Sequence, residues 1–141
     1  VNVLQSVILT EGGKMVLTPT YHVFDLYKCH QDATLLGCFA ESGIVEGVAD
    51  LSVSASEDSE GTVHITAANL NAGEACPVEI QLLGKETDSA AGRLLTGGMG
   101  AYNDFDHPHD VQITALDEIE LEAGRARFTL PPCSVAEIAL K

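Results

Sequence analysis

Residues 51–67 read LSVSASEDSEGTVHITA, in which two alternating segments flank an acidic turn. Apolar and polar side chains alternate over residues 51–56 and again over residues 62–67, and a period of two is typical of a half-buried β-strand. The turn between them, residues 57–61, ends in glycine. The stretch therefore predicts an antiparallel strand pair with one face turned toward a core.

The same alternation continues toward the end of the chain. Asn, Gly and Pro separate further segments of strand type, which are residues 76–83, 111–115, 126–130 and 135–140. Short strands at roughly ten-residue spacing indicate an antiparallel β-sandwich or a jelly roll. The predicted fold class is therefore mainly β.

The chain has a different periodicity before residue 33. Apolar side chains within residues 3–8 fall on one face of a predicted helix, which two glycines would end. Residues 15–17 form a short apolar run of strand type, and Pro19 begins a second predicted helix that extends to about Gln31. A helix–strand–helix order is typical of an α/β barrel or a doubly wound sheet. We therefore expect a short α/β segment ahead of the sandwich.

Charge and composition exclude several classes of partner. The 141 residues include 7 Lys or Arg and 21 Asp or Glu, which gives a net charge of −14. Nucleic acids and anionic membranes both select basic surfaces, so we predict neither as a partner. A hydrophobic fraction of 45% is too high for a disordered acidic tail.

Four cysteines are present, and none forms a Cys-x-x-Cys pair. They are Cys29, Cys38, Cys76 and Cys133. We predict free, mostly buried thiols in a cytoplasmic protein. Cys29 precedes His30, but adjacent side chains on a helix do not face each other, so this pair does not indicate an activated thiol.

The richest group of polar side chains lies in residues 101–110, AYNDFDHPHD, which contain two His and three Asp. We interpret the segment as a loop whose Asn, Asp and Pro residues satisfy its own backbone. A metal-stabilised domain built on His107 and His109 is the alternative, although their spacing matches no familiar metal motif. His64 lies between two apolar residues of a predicted strand, and we expect its side chain to face solvent. No catalytic residue, metal ligand or cofactor site is predicted from the residues alone.

Three blocks of the chain resemble one glycoside hydrolase family. Residues 2–10, NVLQSVILT, and residues 15–28, MVLTPTYHVFDLYK, are similar to the end of the catalytic barrel in family 51 α-L-arabinofuranosidases. Residues 101–111 are similar to that family's Asn-x-Phe-x-x-Pro loop, and residues 130–135, LPPCSV, to its closing segment. The loop positions are Asn103, Phe105 and Pro108.

The resemblance implies a two-part parent enzyme with a (β/α)8 barrel and a C-terminal jelly roll. Such a parent removes terminal α-L-arabinofuranosyl groups from arabinan and arabinoxylan fragments with retention of configuration, using two glutamates of the barrel. Residues 1–31 would be the last helix–strand–helix part of the barrel, and residues 32–141 the sandwich. Both glutamates are then expected upstream of this chain, which would be inactive alone. The implied partners are an arabinose-containing oligosaccharide, the rest of the barrel, and further copies of the parent.

Thr18 is the one residue to which the resemblance assigns contact with substrate. It follows the predicted strand of residues 15–17, and barrel enzymes bind substrate at the C-terminal ends of their strands. Many relatives have a substrate-binding glutamine near this position, whereas this chain has Thr18 followed by Pro19. The alternative is that Thr18 only caps the helix that Pro19 begins.

A second functional class is also open, that of an independent carbohydrate-binding sandwich without catalysis. Sugar rings usually stack on exposed aromatic side chains, and this chain has no Trp, 3 Tyr and 4 Phe. Three of these aromatics, Tyr21, Phe24 and Tyr27, belong to the predicted second helix. Few remain for a sugar-binding face, so the enzyme-domain hypothesis is preferred.

Overall fold

The structure is a computed structural model that describes residues 6–141. These residues form antiparallel β-sheets, one α-helix, α1 (Pro19–Tyr27), and a 3₁₀ turn (Lys28–His30). The strands, in chain order, are β1 (Ile8–Glu11), β2 (Lys14–Leu17), β3 (Thr34–Leu35), β4 (Ile44–Val45), β5 (Val48–Ala49), β6 (Leu51–Glu57), β7 (Val63–Asn69), β8 (Cys76–Gln81), β9 (Ala90–Thr96), β10 (Thr114–Ala115), β11 (Glu120–Glu122), β12 (Arg125–Leu130) and β13 (Ser134–Leu140). No helix within residues 6–141 is long and apolar enough to cross a membrane. The prediction of a mainly β fold is confirmed.

Two sheets face each other across the core. The large sheet has the strand order β10-β9-β13-β7-β6-β3, and the small sheet the order β11-β12-β8. The predicted pair of residues 51–56 and 62–67 is confirmed as β6 and β7, which pair antiparallel from Leu51 opposite Asn69 to Glu57 opposite Val63. Of the predicted strand at 111–115, only β10 is formed.

Alternate side chains of β13 point between the two sheets and form the centre of the main core. Ile138 and Leu140 are no more than 1% exposed and pack with Leu130 and Phe128 of β12 in the small sheet. Full burial of each such side chain contributes about 1.5–3 kcal/mol to folding. The core therefore lies between the two sheets, as expected for a sandwich.

The other face of the large sheet carries the helical segment. Leu26 of α1 is completely buried and packs with Leu95 of β9 and Val111, with Val135 of β13 at the edge of the cluster. The central strands of the large sheet are thus covered on both faces. This second cluster fixes the position of α1 and of the residues that precede it.

The prediction of a first helix is wrong over residues 8–11, which form β1. Glu11 lies opposite Lys14 in a hairpin of β1 and β2, and Gly12 takes a φ of +57° in the two-residue loop. The glycine pair that indicated a helix stop instead satisfies a hairpin turn, which needs positive φ. The earlier part of that predicted helix, with Val3 and Leu4, lies outside the described residues. The second predicted helix is confirmed as α1, but the α-helix ends at Tyr27 rather than near Gln31, and a 3₁₀ turn follows it.

Candidate functional site

Thr18 lies at the junction between β2 and α1. It occupies the N-cap position with φ −80° and ψ 165°, but its side chain makes no capping hydrogen bond. The Thr18 hydroxyl instead lies 2.8 Å from the carbonyl oxygen of Ser6 and 3.0 Å from the carbonyl oxygen of Val7. Its single proton can be donated to either of these two oxygens. Its oxygen lone pairs are therefore available to accept a hydrogen bond from another group.

Asn103 holds the end of β2 from the neighbouring loop. Its side chain is buried, and its Nδ2 donates to the carbonyl oxygens of Leu17 at 2.9 Å and Val111 at 2.7 Å. Its Oδ1 accepts from the Val111 N–H at 2.7 Å. One amide side chain thus fixes the backbone immediately before Thr18. The sequence predicted that the Asn of this loop would bond to backbone groups nearby, as Asn103 does with Val111, but it gave no signal for the contact with Leu17.

The rest of the 101–110 loop satisfies its own backbone. Asp104 Oδ1 accepts from the N–H groups of Asp106 and His107, which confirms the interpretation as a structural loop. A cleft of about 180 Å³ lies on this loop, between Tyr102 and His107. Within residues 6–141, three metal-type donors do not converge in this loop, so the geometry gives no support to the metal alternative at His107 and His109.

A network of charged side chains lies where the helical segment meets the large sheet. It consists of Asp25, Asp58, His64, Arg93 and Glu137. Arg93 contacts Asp25 Oδ2 at 3.1 Å and Glu137 Oε2 at 3.0 Å. His64 lies with Nδ1 2.9 Å from Glu137 Oε1 and Nε2 3.1 Å from Asp58 Oδ2.

The expectation that His64 faces solvent is wrong. Its side chain is only 16% exposed, because the 3₁₀ turn that follows α1 lies over this face of the sheet, where His30 contacts Thr66 of β7. Burial acts to lower the pKa of His64, but the hydrogen bonds and charges of Glu137 and Asp58 outweigh it and raise that pKa. Sequence alternation identified the polar face correctly, but it could not show that another element lies on it.

Cys29 and His30 belong to the 3₁₀ turn that lies on this face. His30 contacts Ser56 Oγ at 2.6 Å through Nδ1 and Thr66 Oγ1 at 2.9 Å through Nε2, and burial lowers its pKa. Burial, together with the charge of Glu137, raises the pKa of the Cys29 thiol to about 11. Cys29 and His30 therefore do not form an activated thiol pair, as predicted.

The four thiols are free, but they are less buried than predicted. Cys38 is exposed, and Cys29, Cys76 and Cys133 are half-buried. Strongly exposed aromatic side chains among the described residues are Phe24, Phe39 and Tyr102, on three separate segments. Within residues 6–141, ring contacts join Tyr21 with His22 and Tyr27 with His30, and none joins two of these three exposed rings.

Comparison with known proteins agrees with the motif resemblance. A family model described as the α-L-arabinofuranosidase C-terminal domain matches residues 1–134. An intracellular exo-α-L-arabinofuranosidase of Bacteroides ovatus is 38% identical over all of this chain and 29% of its own length.

Solved structures give the same assignment. The GH51 arabinofuranosidase from Xanthomonas axonopodis pv. citri matches 99% of this chain with a TM-score of 0.89 and 36% identity, over 29% of its own length. The α-L-arabinofuranosidase of Thermotoga maritima, solved as an arabinose complex, matches 94% of this chain with a TM-score of 0.82 and 27% identity, over 31% of its own length. The chain thus spans under a third of these relatives. It belongs to the family of α-L-arabinofuranosidase C-terminal domains.

Proposed function

We propose that this chain acts as the C-terminal domain of an exo-acting, cytoplasmic α-L-arabinofuranosidase. The parent would remove terminal α-L-arabinofuranosyl groups from arabinan and arabinoxylan fragments with retention, through two glutamates of a (β/α)8 barrel. The observation that carries the proposal is the match of residues 1–134 to this domain family. The proposed parent is a homo-oligomer, and its sandwich has jelly-roll connections. An independent carbohydrate-binding module is not favoured, because the relatives matched over the whole chain are enzymes.

The proposed barrel contribution of residues 1–31 is supported by their exposed apolar side chains. Ile8 on β1, Met15 on β2 and Phe24 on α1 are 42%, 63% and 64% exposed. Contiguous exposed apolar surface commonly marks a contact with another protein surface. We propose that the remainder of the barrel covers these side chains, while Leu26 on the other side of α1 packs on the sandwich.

The isolated chain is expected to show no turnover of 4-nitrophenyl α-L-arabinofuranoside above the uncatalysed rate. Joined in frame behind the barrel portion of the Bacteroides ovatus relative, it is expected to give an active enzyme, because the proposed glutamates are then supplied. The control is that barrel portion alone, which we expect to be insoluble or much less active. Turnover by the isolated chain would overturn the assignment of catalysis to the barrel.

Thr18 is proposed to accept a hydrogen bond from a sugar hydroxyl at the C-terminal end of β2. In the joined enzyme, Thr18→Val is expected to lower kcat/KM about tenfold, since one hydrogen bond to the substrate contributes about 1–1.5 kcal/mol. Thr20→Val changes an exposed threonine two residues away and is the matched control. Equal effects of the two substitutions on kcat/KM would refute a substrate role for Thr18.

A further inference from the structure

We propose that Cys29, His64 and Glu137 form a binding site for one divalent transition-metal ion of the zinc class. Each residue offers one donor atom, and these atoms lie within 4.8 Å of one another. They come from three elements, which are the 3₁₀ turn, β7 and β13. Within residues 6–141, no other three His, Cys, Asp or Glu side chains bring their donor atoms this close together.

The fold brings the three donors together through strand pairing. On β13, Glu137 lies opposite Thr66 and Ala139 lies opposite His64, so Glu137 and His64 are diagonal neighbours on one face of the large sheet. The 3₁₀ turn lies over this face and brings in the Cys29 thiol, which donates to the Leu26 carbonyl at 3.2 Å. The side chains of Glu137 and His64 are 8% and 16% exposed, so both are largely screened from bulk water, and Cys29 is half-buried.

The surroundings of the two sheet ligands match those of protein metal sites. A histidine that binds a metal almost always donates its other ring N–H to a carboxylate or carbonyl. Here Nε2 of His64 faces Asp58 Oδ2 at 3.1 Å, which leaves Nδ1 for the metal. Arg93 holds Glu137 through Oε2 at 3.0 Å, which leaves Oε1 for the metal. Both orienting contacts persist when the ion replaces the direct contact between His64 and Glu137.

The donor set selects the class of ion. One sulfur, one imidazole nitrogen and one carboxylate oxygen suit Zn²⁺ or Co²⁺, whereas Ca²⁺ and Mg²⁺ require oxygen ligands. The metal–sulfur bond forms as the Cys29 thiol releases its proton to solvent, and the resulting thiolate and the Glu137 carboxylate offset the two charges of the ion. A bound ion would link the 3₁₀ turn to β7 and β13. The role of the site is therefore to fasten the helical segment onto the sandwich.

Titration of the full 141-residue chain with Co²⁺ tests the proposal, because cobalt bound to a thiolate gives an intense near-ultraviolet charge-transfer band. We expect this band to saturate at one equivalent of Co²⁺ and to disappear when Zn²⁺ is added. Cys29→Ser should abolish the band and weaken Co²⁺ binding more than tenfold. Cys38→Ser removes an exposed thiol that is not one of the three donors and should leave both unchanged.

Glu137→Gln provides a second test, in which the thiol stays in place. It should keep the charge-transfer band but weaken Co²⁺ binding by roughly tenfold or more, and circular dichroism would verify that each variant remains folded. Three results would overturn the proposal. They are failure of the wild-type chain to bind Co²⁺ stoichiometrically, a band that survives Cys29→Ser, or a band that is lost with Cys38→Ser.

Discussion

Truncation of Leu26 to alanine is expected to destabilise the chain by about 3 kcal/mol. Leu26 is completely buried, and with Leu95 and Val111 it forms the cluster that seats α1 on the large sheet. Removing its isobutyl group leaves a cavity that these neighbours can fill only in part, because they belong to the rigid sheet and to a loop fixed by Asn103. The free energy of unfolding should therefore fall for two reasons. The removed atoms no longer gain from burial, and the cavity they leave has a cost of its own.

Urea unfolding and amide hydrogen exchange measure this effect. Exchange in Leu26→Ala should accelerate most across α1 and the 3₁₀ turn, whereas β13 should retain most of its protection. Phe24→Ala is the matched control, because Phe24 lies on the same helix but is 64% exposed, and its loss should cost less than 1 kcal/mol. Equal destabilisation by the two substitutions would show that α1 is not seated through Leu26.

Asn103→Ala is expected to cost about 3 kcal/mol, since it removes the partner of three backbone groups, two of them buried. The carbonyls of Leu17 and Val111 lose a donor, and the Val111 N–H loses its acceptor. Asn103→Asp should be at least as destabilising at neutral pH. It keeps the shape of the side chain but turns a carboxylate oxygen toward the two carbonyl oxygens.

Equilibrium denaturation of both variants, compared with wild type, tests this expectation. Asp104→Asn serves as the control within the same loop, because an amide oxygen can still accept from Asp106 and His107. We expect its stability to lie within about 0.5 kcal/mol of wild type. If Asn103→Ala were equally mild, the end of β2 would be held by other contacts, and the loop would have no part in positioning Thr18.

Strands β6, β7, β8 and β12 were predictable because polar and apolar residues alternate along each of them, whereas β9, which reads AAGRLLT, was missed. Residues 51–56 and 62–67 alternate cleanly, and they form β6 and β7 with a regular antiparallel register. Pro19 similarly marked the start of α1, since proline is favoured in the first turn of a helix. These features are local, so short windows of sequence contain them.

The predictions of secondary structure and exposure were wrong where contacts between distant parts of the chain decide the local structure. Residues 8–11 pair with β2 through a glycine hairpin, and four residues are too few to separate helical from strand periodicity. His64 alternates like a surface residue, but the 3₁₀ turn, from a separate part of the chain, brings Cys29 next to it. The convergence of Cys29, His64 and Glu137 spans more than a hundred positions, and no local spacing could indicate it.

The position of β13 in the large sheet also has a consequence for the order of folding during synthesis. β13 lies between β9 and β7, although both of these strands precede it in the chain. Until residues 134–140 have left the ribosome, the sheet exists as two halves, each with an unpaired edge. Insertion of β13 requires contacts between residues far apart in sequence, and such contacts form slowly. Until then, the unpaired strand edges can pair with strands of other chains. The nascent chain is therefore most exposed to misassembly just before β13 is inserted.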